Sequence, residues 1–319
     1  MTAGSGQAAM TPGSGQTDKT AAGIDLGGTK IETQVFDADW SMADRLRQDT
    51  PREYPALVEA VAEHVRWAAE RVGDGPIGVG SPGLVNPTTG LALAANLPVS
   101  GKPFTADIAT VAGRPVTHVN DCRAFALSEA VFGAARGKSP AVGLILGTGV
   151  GGGVVVEGRL ISGHSAVGGE FGHVYAPAHL VARHGLPVVG CGCGREGCLE
   201  TYVAGPGLTR LAQAVTGRAL TPPEIADAKG TDADASVVWD IWCEFAAELM
   251  MTLICTVDPD VIVLGGGLSK IPGVADDLSL ALGRSQLSGF RIPQIVLAEG
   301  GDASGARGAA YAAWQSAHG

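Results

Sequence analysis

The stretch Ala21-Ala22-Gly23-Ile24-Asp25-Leu26-Gly27-Gly28-Thr29-Lys30 decides the fold class of this chain. Its first six residues predict a short buried strand, and residues 30–36 alternate as a returning strand after the Gly27-Gly28 turn. A turn of two glycines lets backbone N–H groups approach an anion, and Thr29-Lys30 adds donors and charge. The Walker A spacing is absent, so an ordinary Gly-Gly hairpin is the alternative on this motif alone.

A matching stretch, Gly147-Thr148-Gly149-Val150-Gly151-Gly152-Gly153, lies in the second half of the chain. It follows a predicted strand at 141–146 and precedes one at 154–157. Five glycines in seven positions are costly unless the backbone must come close to something. Two such turns, one in each half, predict a nucleotide lying across a cleft between them.

The order of elements supports two halves. Further strands are predicted over 77–80, 116–119, 261–264 and 295–297, and helices over 55–72, 122–132, 205–216, 236–257 and 304–317. Strand, glycine turn, strand and helices thus occur twice, which predicts two α/β domains with an interdomain cleft. We expect a disordered polar tail over 1–19, a small domain over 20–120 plus 303–319, and a large domain over 121–302 that carries a zinc site.

Composition excludes several classes of function. The chain has 319 residues, of which 45% are hydrophobic, and its net charge is −10 with no run of Lys or Arg. Nucleic-acid binding normally needs a basic patch, so no nucleic-acid partner is expected. No apolar run is long enough for a membrane span and no secretion signal is recognisable, so we expect a cytoplasmic protein without a membrane partner.

Asn120-Asp121 falls where a predicted strand ends and a helix begins. Both residue types are preferred helix N-caps, and capping is the simpler interpretation of the pair alone. However, α/β sheets bind ligands just beyond the carboxyl ends of their strands. A carboxylate at this place can accept the proton of a substrate hydroxyl during phosphoryl transfer.

Three of the six cysteines crowd into Cys191, Cys193 and Cys198, and the other three (Cys122, Cys243 and Cys255) are scattered. With His173 the clustered thiols make a Cys₃His set, which suits tetrahedral zinc. Four protein ligands close the coordination shell, so the metal is expected to be structural. The alternative is three free thiols beside an unrelated histidine.

Two glutamates stand beside these ligands in the sequence. Glu170 precedes His173 by three residues, and Glu200 follows Cys198 by two. The zinc would therefore hold two carboxylates near one spot, and carboxylates accept hydrogen bonds from the hydroxyls of a sugar. The alternative is that both are surface charges.

Together these motifs resemble the ROK family of sugar kinases and repressors, within the two-domain hexokinase–actin-like ATPase (ribonuclease H-like) fold. The resemblance runs from about residue 21 to residue 315 and includes the turn at Asp25, Gly78-Val79-Gly80-Ser81-Pro82-Gly83, Asn120-Asp121, Gly147-Thr148-Gly149, the cysteine motif ending in Cys198-Leu199-Glu200, and the strand that leads from Asp258 into three glycines. Ser81 departs from it, because kinases of this family often carry an apolar residue there.

The resemblance implies a Mg-ATP-dependent enzyme with a structural zinc ion, and it suggests a homodimer. It implies a catalytic base at Asp121; sugar contacts at Gly83, Asn120, Asp121, Glu170, His173 and Glu200; zinc ligands at His173, Cys191, Cys193 and Cys198; and ATP contacts at Gly27, Gly28, Thr29, Lys30, Thr148, Gly149, Gly266 and Gly267, with Asp25 positioning magnesium.

The substrate that the resemblance favours is N-acetyl-D-glucosamine, phosphorylated on its 6-hydroxyl. Residues 94–98 and 100–104 are most similar to bacterial N-acetylglucosamine kinases, whereas residues 50–52 and 87–90 are shared with fructokinases and mannokinases. Those enzymes and the glucokinases of the family are the alternatives. A sugar-responsive repressor is a hypothesis of another class, and we disfavour it because the short polar segment before the first turn is too short for a helix-turn-helix domain. A non-catalytic sugar sensor is disfavoured by the intact Asn-Asp pair.

Overall fold

The structure is a computed structural model that describes residues 19–301 and 304–319. The tail expected over residues 1–19 lies outside the described residues, except for Lys19, where the first strand begins. The boundary expected at residues 302 and 303 also lies outside them. The division into two domains stays a prediction.

The described residues form strands and helices that alternate along the chain. The strands are β1 (Lys19–Leu26), β2 (Lys30–Asp37), β3 (Met42–Asp49), β4 (Ile77–Ser81), β5 (Leu84–Val85), β6 (Ala92–Leu93), β7 (Thr117–Asn120), β8 (Ala141–Leu146), β9 (Val150–Val156), β10 (Arg159–Leu160), β11 (Val261–Gly265) and β12 (Gln294–Leu297). The helices are α1 (Tyr54–Val72), α2 (Phe104–Ala112), α3 (Asp121–Phe132), α4 (Ala178–Arg183), α5 (Glu200–Val203), α6 (Gly205–Thr216), α7 (Pro222–Ala228), α8 (Ala233–Val257), α9 (Val274–Ser285) and α10 (Ser304–His318).

Two five-stranded sheets have the same topology. The strand order is β3-β2-β1-β4-β7 in the first sheet and β10-β9-β8-β11-β12 in the second. In each sheet three strands are parallel and a hairpin adds two antiparallel strands at one side. Every residue of the central strands β4 and β11 is buried, as expected for parallel strands covered on both faces. The predicted α/β class with two similar halves is confirmed.

Helices α3 and α10 join the two sheets. Helix α10 packs against β1 and β4 of the first sheet, whereas α3 packs against β8 and β9 of the second, and the two helices pack against each other. Their closest approach requires glycine: a Cβ on Gly308 would lie 1.8 Å from the carbonyl oxygen of Ala124. Likewise, a Cβ on Gly78 in β4 would lie 1.9 Å from the carbonyl oxygen of Ala309. Gly78 and Gly308 therefore serve the packing of α10.

Several elements differ from the sequence-based prediction. Strand β9 begins at Val150, so the predicted turn over 147–153 is too long by four residues. Strand β3 escaped prediction because it lies at the edge of its sheet and most of its side chains are exposed and polar, which hides the hydrophobic alternation. Helices α2, α4, α7 and α9 were also not predicted, because they are short or broken by polar residues. Among the described residues, no helix combines the length and the apolar character needed to cross a bilayer.

Candidate active site

The carboxyl ends of β1, β4 and β7 meet at one edge of the first sheet. The parallel register places Asp25 beside Gly80 and Ser81 beside Asn120. This edge is where α/β sheets bind ligands. The residues that the sequence singled out on three separate segments thus lie side by side.

The sequence left open whether Asn120-Asp121 caps a helix or supplies a proton-accepting carboxylate, and the structure shows which of the two residues is the cap. Asn120 is the N-cap of α3, and its Oδ1 accepts a hydrogen bond of 3.2 Å from the backbone N–H of Arg123. Its Nδ2 donates to the carbonyl oxygen of Gly83 over 3.0 Å, which leaves the second amide hydrogen for another acceptor. Asp121 is the first residue of the helix, so its carboxylate is not needed as the cap.

The carboxyl group of Asp121 has a perturbed pKa. Burial raises its pKa above the ordinary value, and hydrogen bonds from the backbone and thiol of Cys122 and from Asn120 oppose that rise. Its Oδ1 accepts the backbone N–H of Cys122 over 2.8 Å. Burial of a carboxylate favours proton uptake, which is the property that a general base needs in its transition state.

Glu170 lies opposite Asp121 and is surrounded by charge. Burial raises the pKa of Glu170, His173 and Arg123 lower it, and the carboxylates of Asp121 and Glu200 raise it further. Its Oε2 lies 3.7 Å from Nε2 of His173. The carboxylates of Glu170 and Glu200 therefore share one region, as the sequence predicted, and Asp121 is close enough to act on Glu170 as well.

The four predicted zinc ligands come together. Their ligand atoms all lie within 4.8 Å of one another, on His173, Cys191, Cys193 and Cys198. The Nδ1 atom of His173 lies 3.6 Å from Sγ of Cys191, and the Cys193 and Cys198 sulfur atoms are also 3.6 Å apart. Three thiolates and one imidazole at this separation fit a tetrahedral zinc ion. Because Nδ1 faces the thiols, Nε2 is left to face Glu170, an arrangement that orients a metal-binding imidazole.

Glu200 connects the Cys₃His cluster to the second glycine turn. Its Oε2 accepts the backbone N–H of Val150 over 2.8 Å, and its Oε1 lies 3.8 Å from Sγ of Cys191. The sequence predicted Glu200 as a sugar contact. In the structure one of its oxygens is already bonded to Val150, next to Gly149, where a Cβ would lie 3.0 Å from the carboxylate.

The first glycine turn has the expected hairpin form. The backbone N–H of Gly27 donates to the carbonyl oxygen of Lys30 over 2.9 Å, and the hydroxyl of Thr50 donates to Gly27 over 2.7 Å. Gly28 and Thr29 are exposed, so their N–H groups remain accessible. A Cβ on Gly28 would lie 3.7 Å from the carbonyl oxygen of Asn96, which brings the loop after β6 over the turn.

The second glycine turn is shorter than expected, and most of its glycines serve packing. Only Gly147-Thr148-Gly149 forms the turn, closed by a 3.0 Å hydrogen bond from the N–H of Gly147 to the carbonyl oxygen of Gly149. A Cβ on Gly152 would lie 2.0 Å from the carbonyl oxygen of Gly143 and 2.8 Å from the ring of Phe171. The close approach that the glycine content indicated is therefore, for the glycines inside β9, an approach by other parts of the chain.

Gly266 and Gly267 lie beside the second turn. A Cβ on Gly266 would lie 2.4 Å from the carbonyl oxygen of Leu146, and a Cβ on Gly147 would lie 3.9 Å from the backbone nitrogen of Gly267. The N–H of Gly205, at the start of α6, donates to the carbonyl oxygen of Gly147 over 2.8 Å. The predicted adenosine-side residues thus share one wall with the predicted phosphate turn.

Two features of the site escaped the sequence-based prediction. Arg123 is 5% exposed although it is charged, and its guanidinium acts on Glu170. The available signal was a lone cation in the otherwise apolar start of α3.

The hydroxyl of Ser81 is 2.8 Å from Nε2 of His118, and burial lowers the pKa of that histidine to about 4. The departure at Ser81 therefore forms an internal pair with a neutral imidazole.

Comparisons with known proteins agree with this geometry. Residues 21–316 match the sequence profile of the ROK family. The chain is 42% identical over 292 residues to the N-acetylgalactosamine kinase AgaK of Shewanella sp. strain ANA-3, an alignment that covers 90% of this chain and 94% of that one. It is 41% identical over 295 residues to the N-acetyl-D-glucosamine kinase of Escherichia coli K12, with 91% and 97% covered.

Solved structures show the same fold. The ROK hexokinase of Thermus thermophilus superposes with a TM-score of 0.82 at 34% identity, covering 94% of this chain and 99% of that one. A ROK family glucokinase from Streptomyces griseus, solved with glucose and AMPPNP, superposes with a TM-score of 0.74 at 27% identity, covering 93% and 99%. The predicted hexokinase–actin-like ATPase fold is thereby confirmed.

Proposed function

Because this chain belongs to the ROK family, we propose that it is an ATP-dependent kinase that phosphorylates the 6-hydroxyl of an N-acetylated hexosamine, with N-acetyl-D-glucosamine as the first candidate. The observation that carries the proposal is the buried carboxylate of Asp121 at the strand edge, in the region that Glu170 and Glu200 share. The enzymatic class rests on relatives named as kinases of such sugars.

In the proposed reaction the sugar's 6-hydroxyl donates a hydrogen bond to the carboxylate of Asp121. The proton passes to Asp121 while the hydroxyl oxygen forms a bond to the γ-phosphorus of ATP. The bond from that phosphorus to the bridging oxygen breaks, and ADP leaves. Positioning and charge stabilisation supply most of the rate enhancement in phosphoryl transfer, so the two glycine turns have to hold the phosphates in line with the hydroxyl.

The other site residues hold the substrates. Asn120, Gly83, Glu170 and His173 are proposed to bind the ring hydroxyls, with Asn120 offering its remaining amide hydrogen. Residues 27–30 and 147–149 are proposed to bind the phosphates, with Gly266 and Gly267 beside the adenosine. The magnesium ion that accompanies ATP would neutralise phosphate charge, and Asp25 is the residue proposed to hold it.

A structural zinc ion is proposed at the Cys₃His cluster. It would fix the segment that carries His173 and Cys198, and through them the neighbouring carboxylates Glu170 and Glu200. It supplies no step of the reaction, because four protein ligands leave no open coordination position. A homodimer and a cytoplasmic location stay predictions.

The identity of the sugar is the finer part of the proposal. The two relatives are 42% and 41% identical to this chain. The sugars in their names differ in the configuration of one ring carbon. N-acetylgalactosamine is therefore the second candidate, ahead of glucose, mannose and fructose. A coupled ADP-release assay with these four sugars and N-acetylglucosamine ranks all five by kcat/KM.

The test of the mechanism is Asp121→Asn. We expect this variant to fold and to bind sugar, and to lose about 10²-fold or more of its turnover, because it cannot accept the proton. The matched control is Asp276→Asn, which removes an exposed carboxylate from the first turn of α9 and should leave turnover unchanged. An Asp121→Asn enzyme with wild-type kcat would refute the proposed base.

A further inference from the structure

Helix α3 carries a second charged residue besides the proposed base. Arg123 follows Asp121 by two residues and is only 5% exposed. Arginine is almost never buried to this degree unless it has partners. The Nε atom of Arg123 is enclosed by the protein, so the role of this side chain has to come from the groups packed around it and not from a ligand at that atom.

The guanidinium of Arg123 lies beside the loop that leads from β10 to Glu170. A Cβ on Gly169, the residue before Glu170, would lie 3.5 Å from Nε of Arg123. The start of the side chain lies against β9, because a Cβ on Gly153 would lie 3.2 Å from Cα of Arg123. Arg123 therefore connects the helix with the backbone of the loop.

Two hydrogen bonds hold the end of this loop. Nη2 of Arg123 donates to the carbonyl oxygen of Ala166, and the N–H of Gly152 in β9 donates to the carbonyl oxygen of Gly169 over 2.8 Å. Both Ala166 and Gly169 have positive φ values, 57° and 99°. Glycine adopts such a conformation freely, whereas alanine keeps it only where its surroundings hold it. Arg123 supplies that hold at Ala166.

Glu170 follows directly after the second of these hydrogen bonds. Its backbone N–H donates to the carbonyl oxygen of Val167 over 3.3 Å, so the end of the loop is folded into a turn. The charge of Arg123 also attracts the carboxylate of Glu170 and lowers its pKa, whereas two neighbouring carboxylates raise it. Arg123 thus acts on the position of Glu170 through the backbone and on its charge through space.

We propose that Arg123 is a positioning residue, which holds the loop so that the carboxylate of Glu170 stands where it binds the sugar. Because Arg123 and Asp121 belong to one helix, the same contact sets the place of Glu170 relative to the base. The inference rests on the proposed kinase function. It adds to that function a residue that acts through the loop and determines how tightly the sugar is bound.

A role in stability alone is the alternative. In that case the loss of Arg123 would lower the Tm, while the folded enzyme would keep its kcat and both KM values. Positioning predicts a selective effect on the sugar instead. The carboxylate of Asp121 keeps its hydrogen bond from the N–H of Cys122, and the proposed ATP contacts lie on other segments, within residues 25–30, 147–149 and 266–267.

The experiment measures kcat, the KM for ATP and the KM for the best of the five sugars above. We expect Arg123→Met to raise the KM for sugar about tenfold or more, the range of a hydrogen bond to a charged group, with kcat and the KM for ATP unchanged. Arg123→Lys keeps the charge and a donor but not the planar fork, so we expect a smaller increase of about threefold. Arg136→Met, which removes an exposed arginine, is the control and should change none of the three values.

A double-mutant cycle with Glu170→Gln tests whether Arg123 acts through Glu170. In the Glu170→Gln enzyme, Arg123→Met should raise the KM for sugar much less than in wild type, because residues that act together have non-additive effects. Additive effects, an unchanged KM for sugar, or an equal rise in the KM for ATP would overturn the inference. Where Arg123→Met does not fold, Arg123→Lys decides by the same criteria.

The activity of the wild-type enzyme separates this inference from the proposed function. If wild type phosphorylates none of the five sugars, the kinase proposal fails and the inference fails with it. If wild type is active and the variants of Arg123 bind sugar as wild type does, only the inference fails.

Discussion

The carboxylate of Asp121, which we propose as the base, has a cost to the stability of the fold. Its pKa is raised in the folded protein, so the folded state favours the protonated form more than the unfolded state does. The proposed mechanism nevertheless needs the group as a carboxylate at neutral pH. The unfolded state therefore holds this charge more favourably than the folded state, and the ionised side chain lowers the free energy of unfolding.

The first prediction follows from this unfavourable effect of the ionised side chain on stability. Asp121→Asn should raise the Tm at pH 7 by about 2 °C or more, because it removes a buried charge and keeps the shape. The gain should shrink as the pH falls towards the pKa of the folded carboxyl, where the wild-type residue is itself neutral. Scanning calorimetry of both proteins at several pH values measures this. A variant less stable than wild type at pH 7 would contradict the raised pKa of Asp121.

His64 gives a second prediction at the residue scale. It is fully buried in α1, its Nδ1 is 2.6 Å from the hydroxyl of Thr33, and burial lowers its pKa to about 4. The unfolded state takes up a proton near pH 6.5, whereas the folded state does so only near pH 4. Stability is therefore fully present above pH 6.5 and is lost as the pH falls from there towards 4.

The expected loss from His64 between pH 7 and pH 5 is about 2 kcal/mol. In His64→Gln this part of the pH dependence should disappear, whatever the variant's stability at pH 7. Urea unfolding at four pH values gives the two slopes. The variant Glu63→Gln, which changes an exposed neighbour in the same helix, is the control and should keep the wild-type slope between pH 7 and pH 5. Equal slopes in wild type and His64→Gln would refute the buried neutral imidazole.

At the scale of elements, the close contact of β4 with α10 decides how the first sheet is covered. Gly78→Ala would force a Cβ to within 1.9 Å of the carbonyl oxygen of Ala309, and a backbone atom cannot yield as a flexible side chain does. We expect a loss of about 3 kcal/mol in the free energy of unfolding. Gly283→Ala in α9, where nothing lies within 4 Å of the added Cβ, should instead stabilise the helix by about 0.5 to 1 kcal/mol. Denaturant unfolding of both variants checks the pair, and equal effects would contradict this account of α10.

The sequence predicted some of these elements correctly and others wrongly, and the difference has physical reasons. Buried central strands such as β4 and β11 were recognisable because every residue is apolar or glycine apart from Ser81. Glycines 151–153 were placed in the turn although they lie in β9, because the sequence shows that a backbone must be approached closely but not whether a ligand or another element approaches it. Whether a glycine serves a ligand or a neighbouring element depends on tertiary contacts, which no local pattern contains.

The candidate site was predictable where the chemistry lies in short motifs. The four Cys₃His residues come together in the structure, and Asp121 lies close enough to Glu170 to act on its pKa, because each motif combines residue type with spacing. Arg123 could not be found in this way. Its place in the site comes from its burial and from the bond between its Nη2 and the carbonyl oxygen of Ala166, forty-three residues away in the chain.

At the scale of the whole molecule, the Cys₃His cluster connects two parts of the site. His173 leads to Glu170 on the sugar side, and Glu200 leads from Cys191 to the backbone of Val150 beside the second turn. If zinc fills the cluster, its loss should disturb both parts together. A metal that served only local folding would leave the KM for sugar and the KM for ATP independent of each other.

The fourth prediction tests this connection. Removal of zinc by a chelator, or Cys198→Ser, should lower the Tm and raise the KM for sugar and for ATP by about tenfold, as for residues that orient a metal site. Metal analysis should find one zinc ion per chain in wild type and in the control Cys255→Ser, whose thiol is exposed and lies outside the cluster. A zinc-free protein with wild-type Tm and KM would contradict the proposed role.

The packing of α10 has a further consequence, for synthesis of the chain on the ribosome. The strands of the first sheet are complete at Asn120, yet α10, which packs against β1, β2, β4 and β7, begins only at Ser304. At translation rates of about 5 to 20 residues per second, the nascent sheet waits for about 10 to 40 s before its last helix emerges. During that interval the face around Gly23 and Gly78 has no cover from α10, so nascent chains that stall before Ser304 should depend on chaperones more than the finished protein does.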